Sequence, residues 1–486
     1  MKKFNNILVS AFIGGTVLLS ACSKSDDATK ASEVVLTNHS VTPSLIKKQA
    51  GFENVEVFSL LSSDDKLAQS PNFVFGGSAD GAGLLKDGEN YVMLVNHEDN
   101  FAVSRITLDK TFKPVKGEYL LNSTGGLWRL CSATLATREE HGFGPLFITC
   151  GESGQESRTH ALNPFDDANK ASQSRELPAF GRWSAENAVP LPAVAYPNKT
   201  VIVIGDDDFG SRDGGQVAMY VANSVGDLQN GSIHFMRRVD RNTKEMDMVV
   251  GRTYPVEFVK IDNATTLTGV QVAQKTIEGN AIAFGRTEDV DYRKGSASAG
   301  REIYFNTTGE PHTGTNADRS RTRKGRTYRL VLDANDPLKG NLEVILDGDD
   351  ANGKAKLFQN PDNLMVTNNY VYIQEDPNTY GDETHDGYVY QYNIATGELK
   401  VVFELDHRRT ATDATKYNVG GASRFGSWEY GAMIDVSDLL GIENTFLLYP
   451  QPHTWRDDKY RNADGGTLRP NENQASQVLV IKGLPK

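Results

Sequence analysis

Three cysteines in 486 residues are too few for a disulfide-built scaffold. The longest apolar run near the N-terminus, Ile7 to Leu19, falls short of the roughly 20 residues that a membrane-spanning helix needs. Also missing are a Gly-rich phosphate loop closed by Lys-Ser or Lys-Thr, a Gly-x-Ser-x-Gly elbow, a Cys-x-x-Cys pair and a His-Glu-x-x-His motif. Their absence disfavours nucleotide-fuelled chemistry and serine-hydrolase chemistry. Basic residues are in deficit, 51 Lys and Arg against 63 Asp and Glu for a net charge of −12, so nucleic acid is not an expected partner.

What the chain has is short apolar runs ending in polar tips. Six share one form: YVMLVNHED (Tyr91 to Asp99), PLFITCGES (Pro145 to Ser153), TVIVIGDDD (Thr200 to Asp208), REIYFNTTG (Arg301 to Gly309), YVYIQEDP (Tyr370 to Pro377) and TFLLYPQPH (Thr445 to His453). Most are followed by a further alternating run, such as AVSRITLD, QVAMYVAN, GRTYRLVLD, GYVYQYN or SQVLVIKG. Val, Ile, Tyr and Phe in period-two alternation are strand chemistry. Before each run lies another, opened by Asp80, Cys131, Glu186, Glu288, Asp362 and Glu429 at separations of 51, 55, 102, 74 and 67 residues. Such spacings suit a four-stranded unit with occasional insertions, and six units predict an all-β, six-bladed β-propeller over residues 48–486. The strand Glu53 to Ser62 has no partner before it and is expected to close the last blade beside SQVLVIKG.

Residues 1–22 read as an export signal: Lys2 and Lys3, the apolar run, then Leu19-Ser20-Ala21-Cys22, which resembles a bacterial lipoprotein box with Cys22 as the lipidated residue. Residues 23–47, polar and acidic at their start, are expected to be a flexible tether. A lipid anchor places the protein at the bacterial cell envelope, on the outer membrane, and a monomer is expected.

If the opening residue of each repeat lies on the innermost strand, five carboxylates and one thiol face one another around an axis. Such a ring repels itself unless cations fill it. Carboxylate oxygens suit calcium, and a thiolate among them invites a softer metal such as iron. Cys131 has a second reading, as half of a disulfide with Cys150. Arg286 stands two residues before Glu288, so on a strand both point one way. That suits either a bidentate grip on phosphate or a structural ion pair. The run Arg319 to Arg326 adds five basic residues, either a solvated loop or an anion-attracting rim.

VNHED, LCSATL followed by ITCGES, GRWSAENA, VIVIGDDD, FGRTEDVDY followed by IYFNTTG, and NPDNLMV occur in an order that resembles the PhoX-type alkaline phosphatases. Those are six-bladed propellers whose axial site holds calcium and iron. The resemblance implies Cys131 as an iron ligand, Glu186 and Glu288 as metal ligands, Glu288 also acting in catalysis, and Arg286 as a phosphate contact. It adds Asp362 and Glu152 as further ligands and implies hydrolysis of a small phosphate monoester. Two stretches depart from the family pattern: ATREEHGFG interrupts the segment after Cys131, and Ser184-Ala185-Glu186 stands where the family has Ser-His-Glu. The competing expectation is a non-catalytic surface propeller, stabilised by calcium, whose rim binds a glycan, peptide or protein partner.

Overall fold

The computed structural model describes residues 33–419 and 424–486. The stretch 1–22 expected to be an export signal, with Cys22, lies outside the described residues. The fold is all-β and propeller-like. Each polar-tipped run forms a second strand that pairs antiparallel with the strand before it. The six first strands are Ala79–Asp87, Leu130–Ala136, Ala185–Pro190, Thr287–Tyr292, Pro361–Val366 and Glu429–Asp435. Each packs against the next, and the sixth packs against the first, closing a ring.

The near-continuous apolar character of the second strands follows from burial on both faces. In Asn90–His97, Tyr91, Met93 and Val95 join a core shared with the last strand set, while Val92 and Leu94 join one shared with the second. Six hydrophobic clusters recur in this way, each between two successive strand sets. As expected, Glu56–Ser62 pairs with Gln477–Lys482, so a strand from near the start of the described chain joins the last set.

Two expectations are corrected. The six sets are not six separate four-stranded sheets: there are five sheets among the described residues. The second set has three strands, and the third and fourth are fused into one nine-stranded sheet. The fusing strand is Thr253–Lys260, which pairs with Ser232–Arg238 on one side and Lys339–Asp347 on the other. Its alternation explains the placement, since Val256 and Phe258 are buried in the shared core while Thr253 and Lys260 are exposed. The charged stretch around Arg237 and Arg238 thus belongs largely to the outer strand of the third set rather than to a separate insertion. The flexible tether also ends earlier than residue 47. Val35 N–H donates to Thr111 O, His39 and Ser40 N–H donate to Ser59 O, and Ile46–Lys48 extends the sheet of the fifth strand set. Leu45 is fully buried, which supplies the apolar contact a free tether would lack.

The first strands share a defect that positions the site. In every one the register with the second strand slips by a β-bulge: after Ala79, Leu130, Ala185, Thr287, Pro361 and Tyr430. A bulge leaves a residue out of the ladder and re-aims its side chain. In the first five strands the residue just past the break is Asp80, Cys131, Glu186, Glu288 and Asp362. Carbonyls freed by three of these bulges are satisfied from the preceding strand set: Asn96 Nδ2 donates to Cys131 O, Asn306 Nδ2 to Asp362 O at 2.8 Å, and Gln374 Nε2 to Gly431 O at 3.1 Å. Between the third and fourth sets Gly205 leaves room for such a carbonyl by having no side chain, because a Cβ there would lie 2.1 Å from Glu288 O.

Candidate metal centre

The bulges converge on one cavity of 120 Å³ at the axis. It is lined by Asp80, Cys131, Glu186, Glu288 and Asp362 from the bulges and by Glu429 from the sixth first strand. A second set of side chains comes from the tips of the second strands: Glu98 and Asp99, Glu152, Asp376 and His453. Arg129 and Arg286 complete the lining. All the residues expected at the axis are therefore brought together.

Glu429 reaches the cavity differently from the rest. It precedes its strand's bulge, and the position just past the break is Gly431. A Cβ at Gly431 would lie 2.5 Å from Ala79 O and 2.7 Å from Asp80 Cα, so the sixth set has no room for a side chain there. Two residues earlier, on the same face of the strand, Glu429 supplies the carboxylate instead. Its Oε1 lies 3.0 Å from His453 Nε2.

Four groups of side chains offer ligand atoms within 4.8 Å of one another: Asp80–Glu98–Cys131, Cys131–Glu152–Glu186, Glu152–Asp207–Glu288 and Asp362–Asp376–Glu429. The first three are linked, sharing Cys131 and then Glu152. The fourth is made of oxygen donors alone.

Electrostatics make this arrangement costly without cations. Nine carboxylates line the cavity against two guanidinium groups. Asp80, Glu186, Glu288 and Glu429 are buried, and the loss of water first, then the negative charge of neighbours, pushes their carboxyls well above the usual range. The Cys131 thiol is likewise pushed well up, by burial and then by Glu152 and Glu98, and its Sγ donates to Glu152 Oε2 at 2.8 Å. Asp207 and Asp99 go the other way: burial opposes their ionisation, but Arg286 and Arg129 respectively hold them below the ordinary value. The donor set fits hard divalent cations along its length and a softer one at Cys131. Asp362 Oδ1 adds to the fit, being buried with no hydrogen-bond partner.

Cys131 and Cys150 are both free thiols. Cys150 faces away from the axis, packs in the core between the second and third sets, and lies 3.4 Å from Thr159 Oγ1. Burial pushes its thiol up to about 12.

Arg286 is placed otherwise than a free phosphate contact would be. Its backbone is left-handed, at φ 63°, which turns the side chain into the cavity. Nε and Nη2 then grip Asp207 bidentately at 2.6 and 2.7 Å, Nη2 lies 3.2 Å from Glu288 Oε1, and Nη1 donates to Asn378 Oδ1 at 2.7 Å. Its fork is committed within the protein. Three of the five basic residues of the run Arg319 to Arg326 are committed within the protein, Arg321 to buried Glu310, Arg326 to Asp347 and Arg323 to Asp382.

Sequence reasoning missed Glu98, Asp99, Arg129, Asp376 and His453 as site residues, and read Asp207 only as part of the run Asp206 to Asp208, a solvated turn or a cation loop. The signal was present in the recurring tips HED, GDDD, EDP and QPH, because a second strand that pairs with a bulged first strand must end beside it. Asp207 faces the axis, whereas its neighbours Asp206 and Asp208 face a small crevice with Gln155 and Asp213.

No protein family matches the chain, and no curated protein matches it. Solved structures to which it is similar include the PQQ-bound aldose sugar dehydrogenase of Streptomyces coelicolor, at 11% identity over 90% of this chain and 100% of that one, with a TM-score of 0.36. An α-L-arabinofuranosidase of Fusarium graminearum is 10% identical over 87% and 97% of the two chains, with a TM-score of 0.40. The α-L-arabinanase of Penicillium chrysogenum is 9% identical over 87% and 98%, with a TM-score of 0.39. At this level of likeness, what those proteins act on remains theirs, and the chain itself stands as an all-β, propeller-like protein with an acidic axial cavity.

Proposed function

We propose that this protein is a metal-dependent phosphatase of the PhoX type: a six-bladed propeller, with two blades fused, whose axial cavity holds calcium, with iron at the Cys131 end. The observation that carries the reading is the convergence of six first strands on one cavity, five of them presenting a ligand-type side chain at the same bulge position. Nothing in strand packing alone asks for charge there. Bound ions would neutralise the carboxylates and polarise a phosphoryl group. Asp80, Glu98, Cys131, Glu152, Glu186 and Glu288 would hold the linked ions, and Asp362, Asp376 and Glu429 a separate one. Asp207 orients Arg286, whose guanidinium in turn steadies Glu288. The substrate is a small phosphate monoester. Cys22 would carry the lipid that anchors the protein to the outer membrane.

Metal analysis of the purified protein, paired with turnover of p-nitrophenyl phosphate with and without chelator, tests this directly. Bound calcium with chelator-sensitive turnover is the expected result. The commitment of Arg286 to Asp207 favours a second reading, a surface protein whose axial calcium is structural. Metal-loaded protein inert towards mono- and diesters selects it.

A further inference from the structure

We propose that Arg129 binds the phosphoryl group of the substrate at the cavity mouth, with the organic part of the substrate left outside the cavity. The proposal rests on the phosphatase reading above. Two arginines line the cavity, and they differ in what they leave free. The side chain of Arg286 is 14% exposed and all three of its guanidinium nitrogens are engaged by Asp207, Glu288 and Asn378. That of Arg129 is 43% exposed, with Nη1 2.9 Å from Glu98 Oε1 and Nη2 3.2 Å from Asp99 Oδ1.

Its position is set by the main chain. Arg129 N–H donates to Ser153 Oγ at 2.8 Å, and Arg129 O accepts from Glu152 N–H at 2.7 Å. The main chain is thus fixed where two strands meet, and the guanidinium, half exposed, rests on Glu98 and Asp99. Glu98 belongs to the Asp80–Glu98–Cys131 group, so a cation held there would share that carboxylate with Arg129 and leave more of the guanidinium for an incoming anion.

Size and charge then select the substrate. A 120 Å³ cavity shared by nine carboxylates has room for ions and one phosphoryl group, not for a nucleoside or a sugar. The organic part must lie outside, on a rim where Phe209 is 62% exposed and its ring lies 5.8 Å from the Arg286 guanidinium. A monoester presents three non-bridging oxygens, enough to face the ions and still meet a planar fork at the mouth. A diester has one fewer oxygen, less charge and a second organic arm to accommodate.

The test compares calcium-loaded full-length wild type with Arg129→Gln and Arg129→Lys. The measurements are metal content, the Kd of inorganic phosphate by calorimetry, and kcat and KM for p-nitrophenyl phosphate and bis(p-nitrophenyl) phosphate. In Arg129→Gln the phosphate Kd and the monoester KM should rise together, about tenfold to a hundredfold, and by more than kcat falls, each value being taken on protein of measured metal content. Arg129→Lys should recover part of the loss, and the preference for monoester over diester should shrink in Arg129→Gln. Active protein whose phosphate Kd and KM do not move in the variants overturns the assignment of Arg129 alone. Wild type that binds phosphate through Arg129 but hydrolyses no ester overturns the phosphatase reading and keeps the anion site. Protein that neither binds phosphate nor turns over ester overturns both. If Arg129→Gln fails to load calcium, Arg129→Lys is judged by the same measurements.

Discussion

Removing calcium should destabilise the protein and change the slope of its stability against pH. Each ion bound at a hundred times its Kd stabilises the native state by about 2.7 kcal/mol. An unfolding entropy of roughly 2.1 cal/mol/K per residue gives about 1 kcal/mol per kelvin for the unit from Glu33 to Lys486. Loss of one ion should thus lower Tm by about 3 °C, and loss of three by about 8 °C. In the metal-free protein, Asp80, Glu186, Glu288 and Glu429 have folded pKa values raised above their unfolded ones. The folded state then binds more protons than the unfolded state between the ordinary carboxylate range, about 4, and those raised values. Stability from these groups is present below about pH 4 and is lost as pH rises through the folded values; buried His97, His141 and His160, lowered to about 4, oppose it on acidification but do so in both forms, so going from pH 8 to 5 should favour the Tm of metal-free protein relative to that of metal-loaded protein. In metal-loaded protein the same acidification drives protons against ions for the same oxygens and should lower its Tm. The assay is differential scanning fluorimetry over pH, with metal content measured on each sample. A Tm indifferent to verified metal removal, or the same pH slope in both forms, refutes the account of the cavity as an anion ring needing cations.

Other positions give independent checks. Cys131→Ser should lose any thiolate-bound iron, while Cys150→Ser should cost stability alone; peptide mapping of the oxidised protein should find no Cys131–Cys150 crosslink, and finding one refutes the free-thiol geometry. Arg286→Lys keeps the charge but gives up the bidentate grip on Asp207 and should destabilise by about 1–3 kcal/mol in denaturant unfolding, a neutral result removing its structural role. Gly431→Ala forces a Cβ against the backbone of Ala79 and Asp80 and should cost about 1–3 kcal/mol or more. Asn306→Ala, which leaves the carbonyl of Asp362 without its donor, should cost about 1–3 kcal/mol and weaken calcium binding; unchanged metal affinity would show that the bulge holds its shape without the amide.

Much of the site was legible because strand alternation and recurrence survive in one dimension. Asp80, Cys131, Glu186, Glu288 and Asp362 could be found by their shared place at the start of an apolar run. Glu429 was found too, although its equivalence to the others was only apparent, because a glycine occupies the matching position and the reason lies in the backbone of a neighbouring strand set. Asp207 could not be singled out from Asp206 and Asp208, since a triple repeat of one residue carries no phase; only the pairing of Ala185 with Asp206 sets which of the three turns inward.

The sequence by itself determined the all-β class, the closure by Glu56–Ser62, and the approximate ring of ligands, since each follows from local alternation and its repetition. Tertiary structure alone decided three things. It decided that Thr253–Lys260 joins two strand sets into one sheet, because an edge strand pairs with whichever edge lies beside it. It decided that Cys131 faces the axis and Cys150 the core, because the bulge after Leu130 shifts the register between their strands. It decided that Arg286 answers to Asp207 while Arg129 stands half exposed at the mouth. Charge partners are chosen by distance in space, and between residues 79 positions apart the chain carries no record of it.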